Sequence, residues 1–197
     1  KGHVTAYGLN ANYRFAQGLY VDASWHSMSM DTDLRTPGTA SNATGSTDAD
    51  GDGFNLETGY AYRLKSGLTL VPQAQYSSVD VELDDFESSD GTYSFTEVGG
   101  KASLLRAGVT VFKAFETENG FITPLADLNY LYASDGDSEL RSNGVSFAND
   151  TSGSGYRAEF GIAGRYKAWD ITGRVGVTET SVSDYLLSTN IAVRYRW

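Results

Sequence analysis

The chain ends in Tyr185-Leu-Leu-Ser-Thr-Asn-Ile-Ala-Val-Arg-Tyr-Arg-Trp197. Taken two apart, Tyr185, Leu187, Thr189, Ile191, Val193, Tyr195 and Trp197 form one set. Leu186, Ser188, Asn190, Ala192, Arg194 and Arg196 form the other. The first set is apolar and aromatic, and the second is mostly small or polar. Successive side chains of a β-strand point to opposite faces, so this is a strand with one greasy side and one wet side.

The same alternation recurs over 2–15, 18–28, 53–64, 68–80, 104–113, 121–132, 155–167 and 169–178. In 53–64, Phe54, Leu56, Thr58, Tyr60 and Tyr62 oppose Asn55, Glu57, Gly59, Ala61 and Arg63. In 155–167, Tyr156, Ala158, Phe160 and Ile162 oppose Arg157, Glu159, Gly161 and Ala163. Nine strands of roughly 10–13 residues follow, about the reach of a tilted membrane-crossing strand. Consecutive strands joined by turns make an antiparallel meander, and no helix-period segment competes.

Composition narrows the function. The 197 residues suit one domain, read as 1–197. There is no Cys, so disulfides, thiolate metal sites and thiol nucleophiles are ruled out. His3 and His26 are the only histidines, too few for a zinc centre or a convincing triad. A net charge of −10 argues against nucleic acid, which needs a basic face. Mean hydropathy is −0.34, and no apolar run is long enough for a membrane helix. A membrane β-barrel keeps such a modest average, because lipid-facing and lumen-facing residues alternate. The chain starts at Lys1 and is expected to be a mature protein or a piece of one.

The polar faces decide between a soluble and a membrane barrel. They carry Gly and Arg, with acids that can pair with Arg. Aromatics gather at the ends of the apolar faces: Phe15, Tyr166, Trp169 and Trp197 at one end, and Trp25, Tyr132, Tyr156 and Tyr185 at the other. Two aromatic girdles around an apolar band are what the two membrane interfaces select. The expected fold is therefore an all-β, antiparallel up-and-down transmembrane barrel. Pro72 and Pro124 fit less comfortably, since a strand proline lacks a ladder donor.

The two ends differ. Ala16-Gln17-Gly18, Lys65-Ser66-Gly67, 114–120 and Lys167-Ala168 are short connections, whereas 29–52, 81–102 and 133–154 are long. Outer-membrane barrels have short periplasmic turns and long outer loops, so Trp197 lies at the periplasmic end. The segments 29–53, 80–101, 133–154 and 179–184 hold 18 of the 25 acids but three of the 15 bases, Arg35, Lys101 and Arg141. Nine strands ending in the periplasm begin outside the cell. Single-chain bacterial barrels close with an even number of strands, and an unpaired edge in lipid is prohibitive. An odd number of strands is expected upstream, or a second chain on the edge.

A family resemblance fits these readings. Gly18-Leu-Tyr-Val-Asp-Ala23, Gly59-Tyr-Ala-Tyr-Arg63, Leu70-Val-Pro-Gln-Ala-Gln75, Arg106-Ala-Gly-Val-Thr-Val111, Thr123-Pro-Leu-Ala-Asp-Leu-Asn-Tyr130, Arg157-Ala-Glu-Phe-Gly161 and Val193-Arg-Tyr-Arg-Trp197 occur in order along the chain. The ordered set resembles the C-terminal translocator barrel of autotransporters, the type V secretion proteins. The resemblance implies twelve strands, of which this chain matches the fourth to the twelfth, and a helix threading the lumen. It implies export and anchoring of an N-terminal passenger in the bacterial outer membrane. The partners implied are outer-membrane lipid and lipopolysaccharide, the barrel-assembly machinery, and the protein's own passenger and lumenal helix. In the last strand, Tyr195 and Trp197 match the aromatic positions of the assembly signal. Ala192 stands where that signal often has Gly.

The candidate lumen-lining residues are Arg14, Asp22, Glu57, Arg63, Arg106, Asp127, Arg157, Glu159, Arg165, Arg174, Arg194 and Arg196. They read either as charges placed where water is, or as a cationic wall for a transiting or plugging segment. Asp48-Ala-Asp-Gly-Asp-Gly53 has calcium-loop spacing, but Gly59 occupies the position of the bidentate Glu. Asp48, Asp50 and Asp52 therefore read as a solvated acidic loop. His26, with Asp31 and Asp33 nearby, is too little for a hydrolase. No metal, cofactor or catalytic residue is assigned, and no step of the expected work needs an enzyme. The competing function is a plain outer-membrane channel or receptor barrel without a passenger.

Overall fold

A computed structural model describes residues 2–36, 43–91 and 94–197. Nine long strands carry the fold: β1 (Gly2–Arg14), β2 (Leu19–Thr36), β3 (Ala43–Tyr60), β4 (Thr69–Leu83), β5 (Ser94–Phe112), β6 (Gly120–Ser134), β7 (Gly153–Tyr166), β8 (Trp169–Thr180) and β9 (Ser183–Tyr195). They pair in sequence order, each antiparallel to the next. This is the expected meander.

The strands run further outward than the apolar pattern suggests. β2 and β3 stay in register from Leu19↔Tyr60 to Thr36↔Ala43. Much of 29–52, read as loop, is therefore strand, and residues 37–42 lie outside the described ones. The reason is physical. Backbone ladders need no apolar side chains, and beyond the lipid both faces meet water. The alternation ends there, but the pairing continues. Within 133–154, Asp137–Ser142 and Val145–Asp150 form a hairpin. Its turn residues, Asn143 (φ 49°) and Gly144 (φ 80°), both have the positive φ that a tight two-residue hairpin turn demands. Its first strand pairs onto β5 through Ser138↔Gly100 and Glu139↔Gly99.

Exposure along the strands alternates in the sense opposite to a soluble protein. Glu159 is 7% exposed and its neighbour Phe160 65%. Asn129 is 1% exposed, between the exposed Leu128 and Tyr130. Hydrogen bonds also join strands two apart: Tyr20 on β2 to Gln73 on β4 (3.3 Å), and Gln73 to Asp127 on β6 (3.3 Å). In a flat sheet such strands lie about 10 Å apart. Bonds of that kind require the sheet to curl toward its polar side. The apolar side is convex and open. Among the described residues only two hydrophobic ones, Ala49 and Val71, are buried, while Tyr185 and Ile191 are 74% and 73% exposed. A dry core with a wet exterior is excluded, and so large an open apolar surface marks contact with something other than water.

Both prolines sit where a ladder is interrupted. The β3–β4 register stops at Gly59↔Gln73 and resumes at Tyr62↔Leu70, leaving Pro72 opposite the gap. The β5–β6 register stops at Phe112↔Leu125 and resumes at Phe115↔Ile122, which leaves Pro124 in the same situation. A missing N–H costs little at such breaks. At the sides of the sheet, β1 and β9 each pair on one side only, and every residue of both is exposed.

Candidate functional site

The polar inner wall is the candidate site. The curl of β2 to β6 brings one network together at its centre. Glu57 Oε1 accepts from the Tyr20 hydroxyl at 2.7 Å, and Glu57 Oε2 from Arg106 Nη2 at 2.6 Å. Arg106 Nε also donates to Gln75 Oε1 at 2.7 Å, and Gln75 reaches Asn55. Asp127 accepts from Gln73, Thr110 and Asn129. Asp22 accepts from Asn12 Nδ2 at 2.8 Å. Arg14 pairs with Tyr20 in the β1–β2 register and lines a cavity of about 580 Å³ with Asp22, Glu57 and Gln73.

A second arrangement covers β7 to β9, where each acid is shared by two arginines. Glu159 accepts from Arg157 Nη2 at 2.6 Å and from Arg174 Nη1 at 2.9 Å. Asp170 accepts from Arg165 Nε at 2.8 Å and from Arg196 Nε at 2.6 Å. Arg165 also stacks 5.4 Å from the Phe121 ring centroid. Arg194 on β9 and Arg63 beside Thr69 make no ion pair among the described residues. The β7–β9 wall thus sets five guanidinium groups around the two shared carboxylates, four of the five held in extended strands and Arg196 just past the end of β9. A strand's rigid period keeps such charges in rows, where they can contact an extended or helical segment passing through.

Several participants carried no separate signal in the sequence. Tyr20, Asn55, Gln73, Gln75, Thr110 and Asn129 belong to the polar sets but look like ordinary polar strand residues. Their parity placed them on this face. Only the curvature shows that Tyr20 and Arg106, from strands three apart, meet on one carboxylate.

At the outer end the expectations change. Asp48, Asp50 and Asp52 lie in β3, not in a loop, on the outward face, opposite Asp31, Ser29 and Ser27 of β2. An extended strand spreads alternate carboxylates along a line rather than wrapping them round an ion. Among the described residues no group of three or more His, Asp and Glu is arranged to hold a metal. Loss of surrounding water, then the charges of Asp31, Asp84 and Asp50, raise the Asp48 carboxyl above its ordinary value. His26 lies on the inner face over Gly53. Asp31 and Asp33, at odd spacing along the same strand, take the opposite face, so the three do not converge.

The last strand closes the sheet on the far side. Trp169 and Tyr195 meet in a tilted ring contact at 4.9 Å, and Arg196 N–H donates to the Ala168 carbonyl at 2.8 Å. Trp197 is fully exposed. Ala192 pairs with Thr172 on the inner face. Tyr13 and Phe15 (4.7 Å) continue the same girdle, and Tyr130 and Tyr156 (5.4 Å) belong to the outer one.

A lipid-faced, polar-lined antiparallel meander defines a transmembrane β-barrel of the bacterial outer-membrane class. The chain belongs to the autotransporter beta-domain family, whose profile matches residues 1–176. It is 28% identical to YaiT of Escherichia coli (strain K12) over 204 residues, which cover 98% of this chain and 20% of YaiT. The chain thus spans about a fifth of the length of that relative. The beta domain of the Bordetella autotransporter BrkA shares the fold with a TM-score of 0.69 at 17% identity, covering all of this chain and 75% of that one. The domain is an outer-membrane translocator for passenger export.

Proposed function

We propose that these nine strands are the last nine of twelve, and that three upstream strands join β1 to β9. Two uncovered edges support this, because an unpaired backbone group in hydrocarbon costs several kcal/mol. So does the 75% share of the BrkA domain that the chain covers, the ratio of nine strands to twelve. In the closed barrel, the twelve charged residues from Arg14 to Arg196 line the lumen. The exported segment passes along them, and a helix of the same chain then rests against the β7–β9 arginines. The barrel anchors the passenger without a catalytic step. The apolar convex face meets outer-membrane lipid and, at the outer rim, lipopolysaccharide. The strand bearing Ala192, Tyr195 and Trp197 is read by the barrel-assembly machinery.

The observation that carries this reading is the inverted exposure: the polar Asn129 and Glu159 buried, Phe160 and its row open. Two experiments test it. The chain has no cysteine, so single substitutions report cleanly. In isolated outer membranes, Arg174→Cys should react with a polar maleimide, and Leu128→Cys and Phe160→Cys should not. The reverse pattern sinks the lumen assignment. Deleting 1–197 from the full-length parent should leave its passenger shielded from protease added to intact cells. A passenger still digested at the surface rules out the export role.

A further inference from the structure

We propose that the periplasmic end of the lipid face holds a binding site for the phosphate headgroups of anionic phospholipid, built on Lys65, Lys113 and Lys167. This rests on the reading of the convex face as lipid-facing.

Lys113 lies within the β5–β6 interruption but stays in step: its N–H bonds the Pro124 carbonyl, and Phe115↔Ile122 resumes the ladder with the same offset. It therefore shares the outward face with Val111 and Phe115. Its Nζ stands 5.2 Å from the Phe115 ring centroid. Its Cε lies 3.6 Å from where a Cβ on Gly67 would be, so the stem leans on the Lys65-Ser66-Gly67 turn. Lys65 opens that same turn. Two strands away, Lys167 Nζ lies 5.4 Å from the Tyr166 ring centroid, beside the Trp169–Tyr195 pair. Among the described residues none of the three lysines makes an ion pair.

Of the acids at this end, Glu116 and Asp170 face away or are engaged elsewhere. Glu116 pairs with Phe121, which puts it on the inner face. Asp170 is taken by Arg165 and Arg196. Glu118 lies in the turn between Thr117 and Gly120. At the outer end the pattern reverses: Lys101 stands opposite Asp80, among the excess of acids. The three lysines thus sit at one interface, Lys113 and Lys167 over girdle aromatics, where the lipid phosphates lie. A lysine there keeps its stem on apolar surface and its charge at the headgroup. Lys113 lies opposite Pro124 and Lys167 opposite Asn119, so the two are roughly 20 Å apart, across and along the sheet, and each serves its own phosphate.

The test uses the full-length protein in phosphatidylethanolamine bilayers, with every tryptophan except Trp169 and Trp197 replaced by phenylalanine so that these two report the periplasmic end. Tryptophan quenching by brominated phosphatidylglycerol is compared with quenching by brominated phosphatidylethanolamine. The expected result is about a fivefold preference for the anionic lipid, the equivalent of one lysine–headgroup contact. It should fall to parity in K65Q/K113Q/K167Q and persist in K101Q. Equal quenching by the two lipids in the parent overturns the site while leaving the barrel in lipid. So does a preference that survives the triple substitution, or one abolished by millimolar inorganic phosphate. Quenching by neither lipid removes the lipid-facing reading itself, and the site with it.

Discussion

The Tyr20 ring occupies the space that a side chain on Gly59 would need: a Cβ there would stand 2.6 Å from a ring carbon. The two residues pair across β2 and β3, and the ring laid over the glycine delivers its hydroxyl to Glu57. Gly59→Ala should displace the ring and destabilise the barrel by about 1–3 kcal/mol, the range for overpacking. Thermal unfolding of the purified protein measures it. Tyr20→Ala combined with Gly59→Ala should cost less than the two separate losses added, because the ring no longer needs the space. Full additivity would mean that the glycine is not there for the ring.

Arg106 joins β5 to β3 through Glu57 and holds Gln75 with its Nε. Arg106→Met should cost about 1–2 kcal/mol, toward the low end for a bond to a charged group because the lumen is wet. Glu57→Gln keeps an acceptor for Tyr20 and should cost less. A double-mutant cycle should return a coupling of about 0.5–2 kcal/mol. Arg194, with no ion pair among the described residues, serves as the control. Arg194→Gln should stay within about 0.5 kcal/mol of the parent.

The apolar alternation alone located all nine strands, because the lipid on one side of each strand and water on the other force opposite chemistry onto odd and even positions. Glu57, Arg106, Glu159 and Asp170 were placed on the wet face by parity. Their partners were not legible. Which arginine meets which acid depends on register and curvature, and a strand's own sequence encodes neither: Asp170 registers with Arg194 yet bonds Arg196. The outer halves of β2 and β3 were missed for another reason. Asp, Gly, Ser and Thr on both faces look like loop, although the backbone pairing is unbroken.

The Asp48 carboxyl is raised above its ordinary value by lost hydration and by Asp31, Asp84 and Asp50. Folding therefore favours its protonated form. The sign follows: the outer β2–β3 extension is most stable below the unfolded aspartate pKa, near 4, and loses that contribution as pH rises through the raised value. Protease nicking near the hairpin tip should be slower at pH 4 than at pH 7, using a protease active at both. Asp48→Asn should slow nicking at pH 7 and flatten the dependence. A variant with the parental pH profile would show that the carboxylate repulsion is screened by solvent.

Trp197 and Tyr195 lie two apart on the lipid side of the chain end, but only Tyr195 has a packing partner, Trp169 at 4.9 Å. Trp197 is fully exposed. Their substitutions should therefore separate assembly from stability. Tyr195→Ala should lower the thermal midpoint of the inserted barrel, with about 0.5–1.5 kcal/mol for the lost aromatic pair, and also lower the amount inserted. Trp197→Ala should lower only the amount inserted, because the folded wall loses no contact. Trp169→Ala supplies the comparison: it removes the same ring pair and a girdle aromatic but leaves the last strand's own alternation intact. It should match Tyr195→Ala in midpoint and the parent in yield. Folded protein in outer-membrane fractions, scored by heat-dependent electrophoretic mobility, gives the yield. If Trp197→Ala inserts at the parental level, the terminal aromatic is not what the assembly machinery reads. Its place in the girdle would then account for it fully.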